Sequence, residues 1–165
     1  YTRADILILG KALSGGVYPV SAVLADDAIM LTIHPGQHGS TFGGNPIAAN
    51  VAQAALSVME DEALMLNARA RGNQFREGLA QRIGSLALIK GIRGKGLLNA
   101  VLINDSPESS TAWDLCLALR DAGILAKPTH GNIIRFAPPL VITESQMEEA
   151  LERMEKVFTQ FEQTL

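Results

Sequence analysis

The stretch from Asp5 to Gly16, DILILGKALSGG, constrains this chain more than any other. Ile6, Leu7, Ile8 and Leu9 form an uninterrupted apolar run of strand length, as expected of a strand buried on both faces of a mostly parallel sheet. The run breaks at Gly10, and Lys11 stands at the break, with Gly15 and Gly16 close behind. In open α/β sheets ligands gather outside the carboxyl ends of the strands, and glycines there let backbone and ligand approach each other. Lys11 is therefore a candidate for chemistry. A lysine in an apolar, partly dry pocket loses solvation of its ammonium form, so the neutral amine becomes available to attack a carbonyl. A solvated lysine in a turn is the other reading of the same residues.

A second glycine-rich stretch, His34 to Asn45 (HPGQHGSTFGGN), reads as a long loop, and Pro46 falls where the first turn of a following helix begins. Ser40 and Thr41 lie between Gly39 and Gly43, so backbone amides and two hydroxyls can converge there on a small anion; composition alone fits an ordinary surface loop equally well. His34 and His38 lack a third ligand, and no metal is assigned. Arg135 lies inside an apolar strand, IIRFAPP, where burial of a guanidinium demands an anionic partner. A structural carboxylate would serve, and so would a substrate carboxylate gripped by two parallel hydrogen bonds. Arg93, Lys95, Lys127 and His130 receive no role.

Periodicity places the remaining elements. Val20 to Leu24 reads as a strand, and Ala25 to Ile33 as a short helix begun by Asp26 or Asp27. Ile47, Val51, Ala54, Ala55 and Val58 predict the inner face of a helix from Pro46 to about Glu60. A helix over Asp61 to Ile83 buries Leu64, Ala68, Phe75, Leu79 and Ile83 and turns its arginines to solvent. Strands over Leu86 to Ile92 and Leu97 to Ile103, joined at Gly94 to Gly96, must be antiparallel. Ser110 or Thr111 caps a helix with Trp113, Cys116, Leu117 and the stem of Arg120 inside, ending at Gly123. Ile124 to Lys127 and Asn132 to Phe136 read as strands. Thr143, with Gln146 three residues on, caps a last helix whose stripe is Met147, Leu151, Met154, Phe158, Phe161 and Leu165. A domain boundary is expected within the helix pair, dividing residues 1–55 from 56–165.

Composition narrows the function classes. The 165 residues suit one domain or a domain and a half, and a net charge of −3 gives no basic excess for nucleic acid. One cysteine, Cys116, excludes an internal disulfide and reads as a packed thiol in a reducing compartment. No apolar run approaches the roughly 20 residues that span a bilayer, and no targeting pattern opens the chain. The chain begins with Tyr1 and reaches a buried-type strand by Ile6, so it is expected to be part of something longer, the rest of its sheet coming from elsewhere.

The wording LGKALSGGVYPVSAVLADDAIM resembles the lysine segment of the class III pyridoxal-phosphate-dependent aminotransferases, with the ornithine aminotransferases nearest. The resemblance continues through HPGQHGSTFGGNP, IRGKGLLNAVLI and AGILAKPTHGNIIRFAPPLVI, nearly the whole chain. It implies a fold-type-I α/β architecture: the end of the large-domain sheet, with the cofactor lysine, followed by an α+β C-terminal small domain. It implies that Lys11 holds pyridoxal 5'-phosphate as a Schiff base, that Thr41, beside Ser40, reaches the cofactor phosphate of a neighbouring subunit in a homodimer, and that Arg135 binds the α-carboxylate of glutamate or 2-oxoglutarate. The implied activity is transfer of the δ-amino group of ornithine to 2-oxoglutarate, in arginine and proline metabolism. Acetylornithine and 4-aminobutyrate aminotransferases, or a non-catalytic chain that keeps the fold, are the alternatives. The compartment implied is the cytoplasm, or the mitochondrial matrix in a eukaryote. The acidic partner of the pyridine nitrogen belongs to an upstream part, so this stretch alone is expected to be inactive.

Overall fold

The structure, a computed structural model, describes residues 3–164. The chain forms two compact units that part between Ala63 and Leu64.

In the first unit, β1 (Ile6–Leu9) pairs with β2 (Ala22–Ala25), Ile6 opposite Ala25 and Leu9 opposite Ala22. The pairing is antiparallel, which corrects the expectation of a parallel strand with no partner in the chain. The connection holds one turn of 3-10 helix and no crossover helix, so the second strand doubles back on the first. The ribbon buries neither face: Ile8 is 74% exposed, and Ile6 and Leu7 are about half exposed. After β2 a short α1 (Asp27–Met30) follows Asp26, whose carboxylate makes no cap bond but pairs with Arg3 at 2.6 Å. Asn45 caps α2 (Pro46–Asp61): its side-chain Oδ1 accepts from the Ala48 N–H at 2.8 Å. The inward face of α2 carries Ala48 and Ala52, with Val51 and Ala55 half-buried, whereas Ile47, Ala54 and Val58 of the expected stripe are exposed. The small side faces the turn after Lys11: a Cβ built on Gly15 would be in ordinary van der Waals contact with the Ala55 methyl at 3.6 Å.

The second unit is a four-stranded antiparallel sheet in the order β3 (Ile89–Lys95), β4 (Leu98–Ile103), β6 (Ile133–Phe136), β5 (Lys127–Thr129). Alternation divides its faces. Asn99, Val101 and Ile103 of β4 and Ile134 and Phe136 of β6 are buried, while Leu98 and Arg135 are exposed on the other side. Helices α3 (Leu64–Ile83), α4 (Thr111–Asp121) and α5 (Glu144–Glu162) complete the core, with Phe75, Leu79, Leu115, Leu119, Leu151 and Phe158 enclosed. Each such side chain contributes about 1.5–3 kcal/mol relative to exposure. The Phe75 and Phe136 rings meet at 5.4 Å.

The strands and helices fall close to their expected places, with shifts that have physical causes. β5 meets the expected strand Ile124–Lys127 only at Lys127, because the Ile124 N–H closes the end of α4 on the Leu119 carbonyl at 2.8 Å; His130 and Gly131, at φ 50° and 76°, then turn the chain into β6. Thr143 and Gln146 form the capping box of α5, and the Met147 to Phe158 stripe is buried; Leu165 lies outside the described residues. Helix α4 turns Ala112, Leu115, Cys116 and Leu119 inward and leaves Trp113 56% exposed, because the 112–115–116–119 stripe gathers the enclosed leucines. Burial pushes the Cys116 thiol up to about 11. The arginines of α3 are not simply solvated: Arg71 pairs with Glu144 at 3.1 Å, Arg82 bridges to Glu148 and Glu155, and Arg76 donates to the Gly96 carbonyl and the Asn99 carboxamide.

Candidate active site

Lys11 follows Gly10 at the carboxyl end of β1 and opens the one-turn 3-10 helix Lys11–Ser14. Its φ is 55°, in the left-handed region that non-glycine residues adopt at a cost of order 1–3 kcal/mol, and such strain concentrates at functional sites. The turn behind it is held firmly. Ser14 is buried, and its Oγ donates to the Tyr18 carbonyl and accepts from the Tyr18 N–H at 3.2 Å. Gly15 and Gly16, at φ 63° and 83°, then carry the chain away along a path closed to most side chains. The amine itself is exposed, and among the described residues it has no hydrogen bond or ion pair. Among the described residues nothing covers Lys11, since the open β1–β2 ribbon leaves it exposed, as in the reading of a solvated lysine in a turn.

Ser40 and Thr41 sit in the exposed loop before α2. The Ser40 Oγ accepts from the Gly43 N–H at 2.8 Å and closes a turn; a Cβ on Gly43 would stand 2.6 Å from that oxygen, so a larger residue there would push the Ser40 side chain aside. The Ser40 Oγ thereby spends one lone pair on the loop and keeps its O–H as a donor. Thr41 has no partner among the described residues, which leaves its hydroxyl free to donate.

Arg135 occupies the exposed face of β6 between buried Ile134 and Phe136. The premise that it is buried is therefore corrected: strand alternation points it out of the core, and no desolvation penalty forces a partner on it. Among the described residues no carboxylate pairs with it, so its planar fork remains available. Lys11, Ser40 and Thr41 belong to the first unit and Arg135 to the second. The second unit also contains a cavity of about 380 Å³ lined by Phe75, Ile124, Phe136, Met147 and Met154, among others, but no titratable side chain lines it. No group of metal-ligating side chains occurs among the described residues.

This geometry acquires a family from comparison. The profile of the class-III aminotransferases matches residues 1–158. The chain belongs to the class-III aminotransferase family. The mitochondrial ornithine aminotransferase of Rattus norvegicus is 54% identical over 96% of this chain and 36% of its own length. The crystal structure of an acetylornithine aminotransferase from Elizabethkingia anophelis superposes with a TM-score of 0.92 at 62% identity, over 96% of this chain and 42% of that one. The ornithine aminotransferase of Toxoplasma gondii superposes at 0.90 with 48% identity, over 98% of this chain and 38% of its own. The chain thus spans well under half the length of these relatives.

Membership brings a requirement for pyridoxal 5'-phosphate. The first unit holds groups that fit it: Lys11 offers a primary amine to an aldehyde and Thr41 an unengaged hydroxyl to a phosphate.

Proposed function

We propose that the full-length protein containing this chain is a pyridoxal-phosphate-dependent aminotransferase acting on an ω-amino acid, ornithine in the first instance, with 2-oxoglutarate as acceptor. The observation that carries this reading is the strained, solvent-open Lys11 at the end of β1, fixed by the Ser14–Tyr18 lock. Residues 1–55 would close the cofactor-binding domain and 56–165 would form the small domain, the last turns of α2 going with the latter. Lys11 would hold the cofactor covalently, and Thr41, with Ser40 beside it, would take the phosphate, that contact crossing to a second subunit of a homodimer. The bound cofactor supplies the electron sink that amino transfer requires. Lys11 Nζ, when free as an amine, would serve as the base that takes the proton from the amino-bearing carbon of the substrate. Arg135 holds the acceptor's α-carboxylate and fixes its orientation.

A second reading, an acetylornithine aminotransferase, is favoured by the 62% identity to the Elizabethkingia anophelis protein bearing that name. Several relatives are named as mitochondrial, and a matrix location is proposed if the source is eukaryotic. Steady-state kinetics on the full-length protein with ornithine and with acetylornithine separate the two: the present reading predicts a higher kcat/KM for ornithine, and a preference for the acetylated amine would transfer the assignment. Lys11→Ala should abolish steady turnover with either donor while the fold persists. Near-normal turnover by that variant would remove the basis of the mechanism.

A further inference from the structure

The open face of the four-stranded sheet carries a row of cations that sequence inspection does not reveal. The register places Lys127 of β5 directly opposite Arg135 of β6, Arg135 opposite Ala100 of β4, and Ala100 opposite Arg93 of β3. Residues paired in this way share a face, so Arg93, Arg135 and Lys127 line one row across the sheet, on the side away from the helices. All three are exposed, and among the described residues none has a hydrogen bond or an ion pair. None of the four strands contains an aspartate or glutamate. Like charges directly opposite each other on a sheet destabilise it, and directly opposed Cβ atoms stand about 4.5–5.5 Å apart. A chain with a net charge of −3 has carboxylates to spare and places none here. The repulsion between Lys127 and Arg135 is relieved when an anion settles on the pair.

We infer that Lys127 is a specificity-determining residue for the oxo-acid acceptor, a second cation that favours the dianion over the cationic donor at the Arg135 site. The inference rests on the reading of Arg135 as the carboxylate-binding residue. Its chemistry follows from what the proposed reaction must accommodate in turn: ornithine, with two ammonium groups and one carboxylate, and 2-oxoglutarate, with two carboxylates and no amine. A fixed positive charge beside Arg135 sorts these by sign. Ala100, with only a methyl group between Arg135 and Arg93, leaves the ligand room over the sheet and lets Arg93 add to the same field. A unit charge about 6 Å from the bound anion changes affinity roughly threefold in water-like surroundings, and more where solvent is excluded.

The test uses the full-length, cofactor-loaded enzyme and two readouts: KM for each substrate, and the calorimetric Kd of glutarate, a dicarboxylate that cannot accept an amine. For Lys127→Met the expected result is a rise of about threefold or more in KM for 2-oxoglutarate and in the glutarate Kd, with no rise in KM for ornithine. The salt dependence of glutarate binding should be shallower than in the unaltered enzyme. Lys127→Arg should restore both readouts, and Lys127→Gln should repeat the Met result if the Met variant folds poorly. Equal effects on ornithine and 2-oxoglutarate, or an unchanged glutarate Kd, would overturn the inference. Arg135→Lys distinguishes the two levels of failure. If it leaves glutarate binding intact, the reading of Arg135 fails and carries this inference down with it; if it weakens glutarate while Lys127→Met does not, only the role of Lys127 falls.

Discussion

Three side chains carry the proposed chemistry, and each is available for a different physical reason. Lys11 is held in a left-handed conformation by the turn behind it, Thr41 has a hydroxyl that its loop does not use, and Arg135 is turned out of the core by strand alternation. Ser40 differs from Thr41 in that its Oγ already accepts from the Gly43 amide. Thr41→Ala in the full-length protein should therefore weaken retention of pyridoxal phosphate by about 0.5–3 kcal/mol, the range for one lost hydrogen bond to a neutral or charged group. The measurement is the cofactor's dissociation constant by equilibrium dialysis, and an unchanged value would count against the phosphate role. Wording alone singled out Lys11, Thr41 and Arg135, and the structure places two of them in more open surroundings than an apolar run suggests. An apolar run reads as buried whether or not neighbouring strands are present, and a lone arginine in IIRF reads as enclosed until the pleat assigns it a face.

At the scale of elements, period and punctuation predicted most of the second unit. The β3–β4 hairpin, the Gly123 stop and the Thr143 capping box each rest on local chemistry that leaves few alternatives. The inner faces of α2 and α4 were harder to read. Both helices carry apolar residues on more than one side, and the choice is made by what packs against them: the turn at Gly15, which meets Ala55, for α2 and the enclosed Leu115 and Leu119 for α4. Cross-strand register was not legible at all, so the pairing of Lys127 with Arg135 had no signal in the sequence. One glycine inside α3 makes a sharp structural claim. Gly72 lies against the β3–β4 turn so closely that an added Cβ would stand 1.9 Å from the Gly96 carbonyl oxygen, and backbone cannot swing aside as a side chain can. Gly72→Ala should destabilise the protein by about 1–3 kcal/mol through overpacking, despite alanine's better helix propensity. Denaturant midpoints read this directly; a stabilised variant would show that α3 and the turn separate easily.

At the scale of the whole molecule, this chain supplies a lysine at a strand end, a loop with an unengaged hydroxyl and a strand with an exposed arginine, over 36% of the length of the rat relative. Its β1–β2 ribbon exposes Ile6, Leu7, Ile8, Val23 and Leu24, an apolar surface that a longer polypeptide would cover. Asp5 stands at the end of β1 away from Lys11, and Asp26 is paired with Arg3, so neither is placed to assist a pyridine nitrogen. The 165 residues alone should accordingly show no turnover of ornithine and 2-oxoglutarate with added pyridoxal phosphate, and a spectrophotometric assay that found turnover would show these carboxylates, or none, to suffice. Whether Lys11 carries the cofactor can be read directly from the protein. The full-length protein, loaded with pyridoxal phosphate, treated with borohydride and digested, should yield one peptide bearing the reduced cofactor, and fragmentation should place it on Lys11. Labelling at another lysine, or no covalent label in a protein that still turns over substrate, would contradict the account.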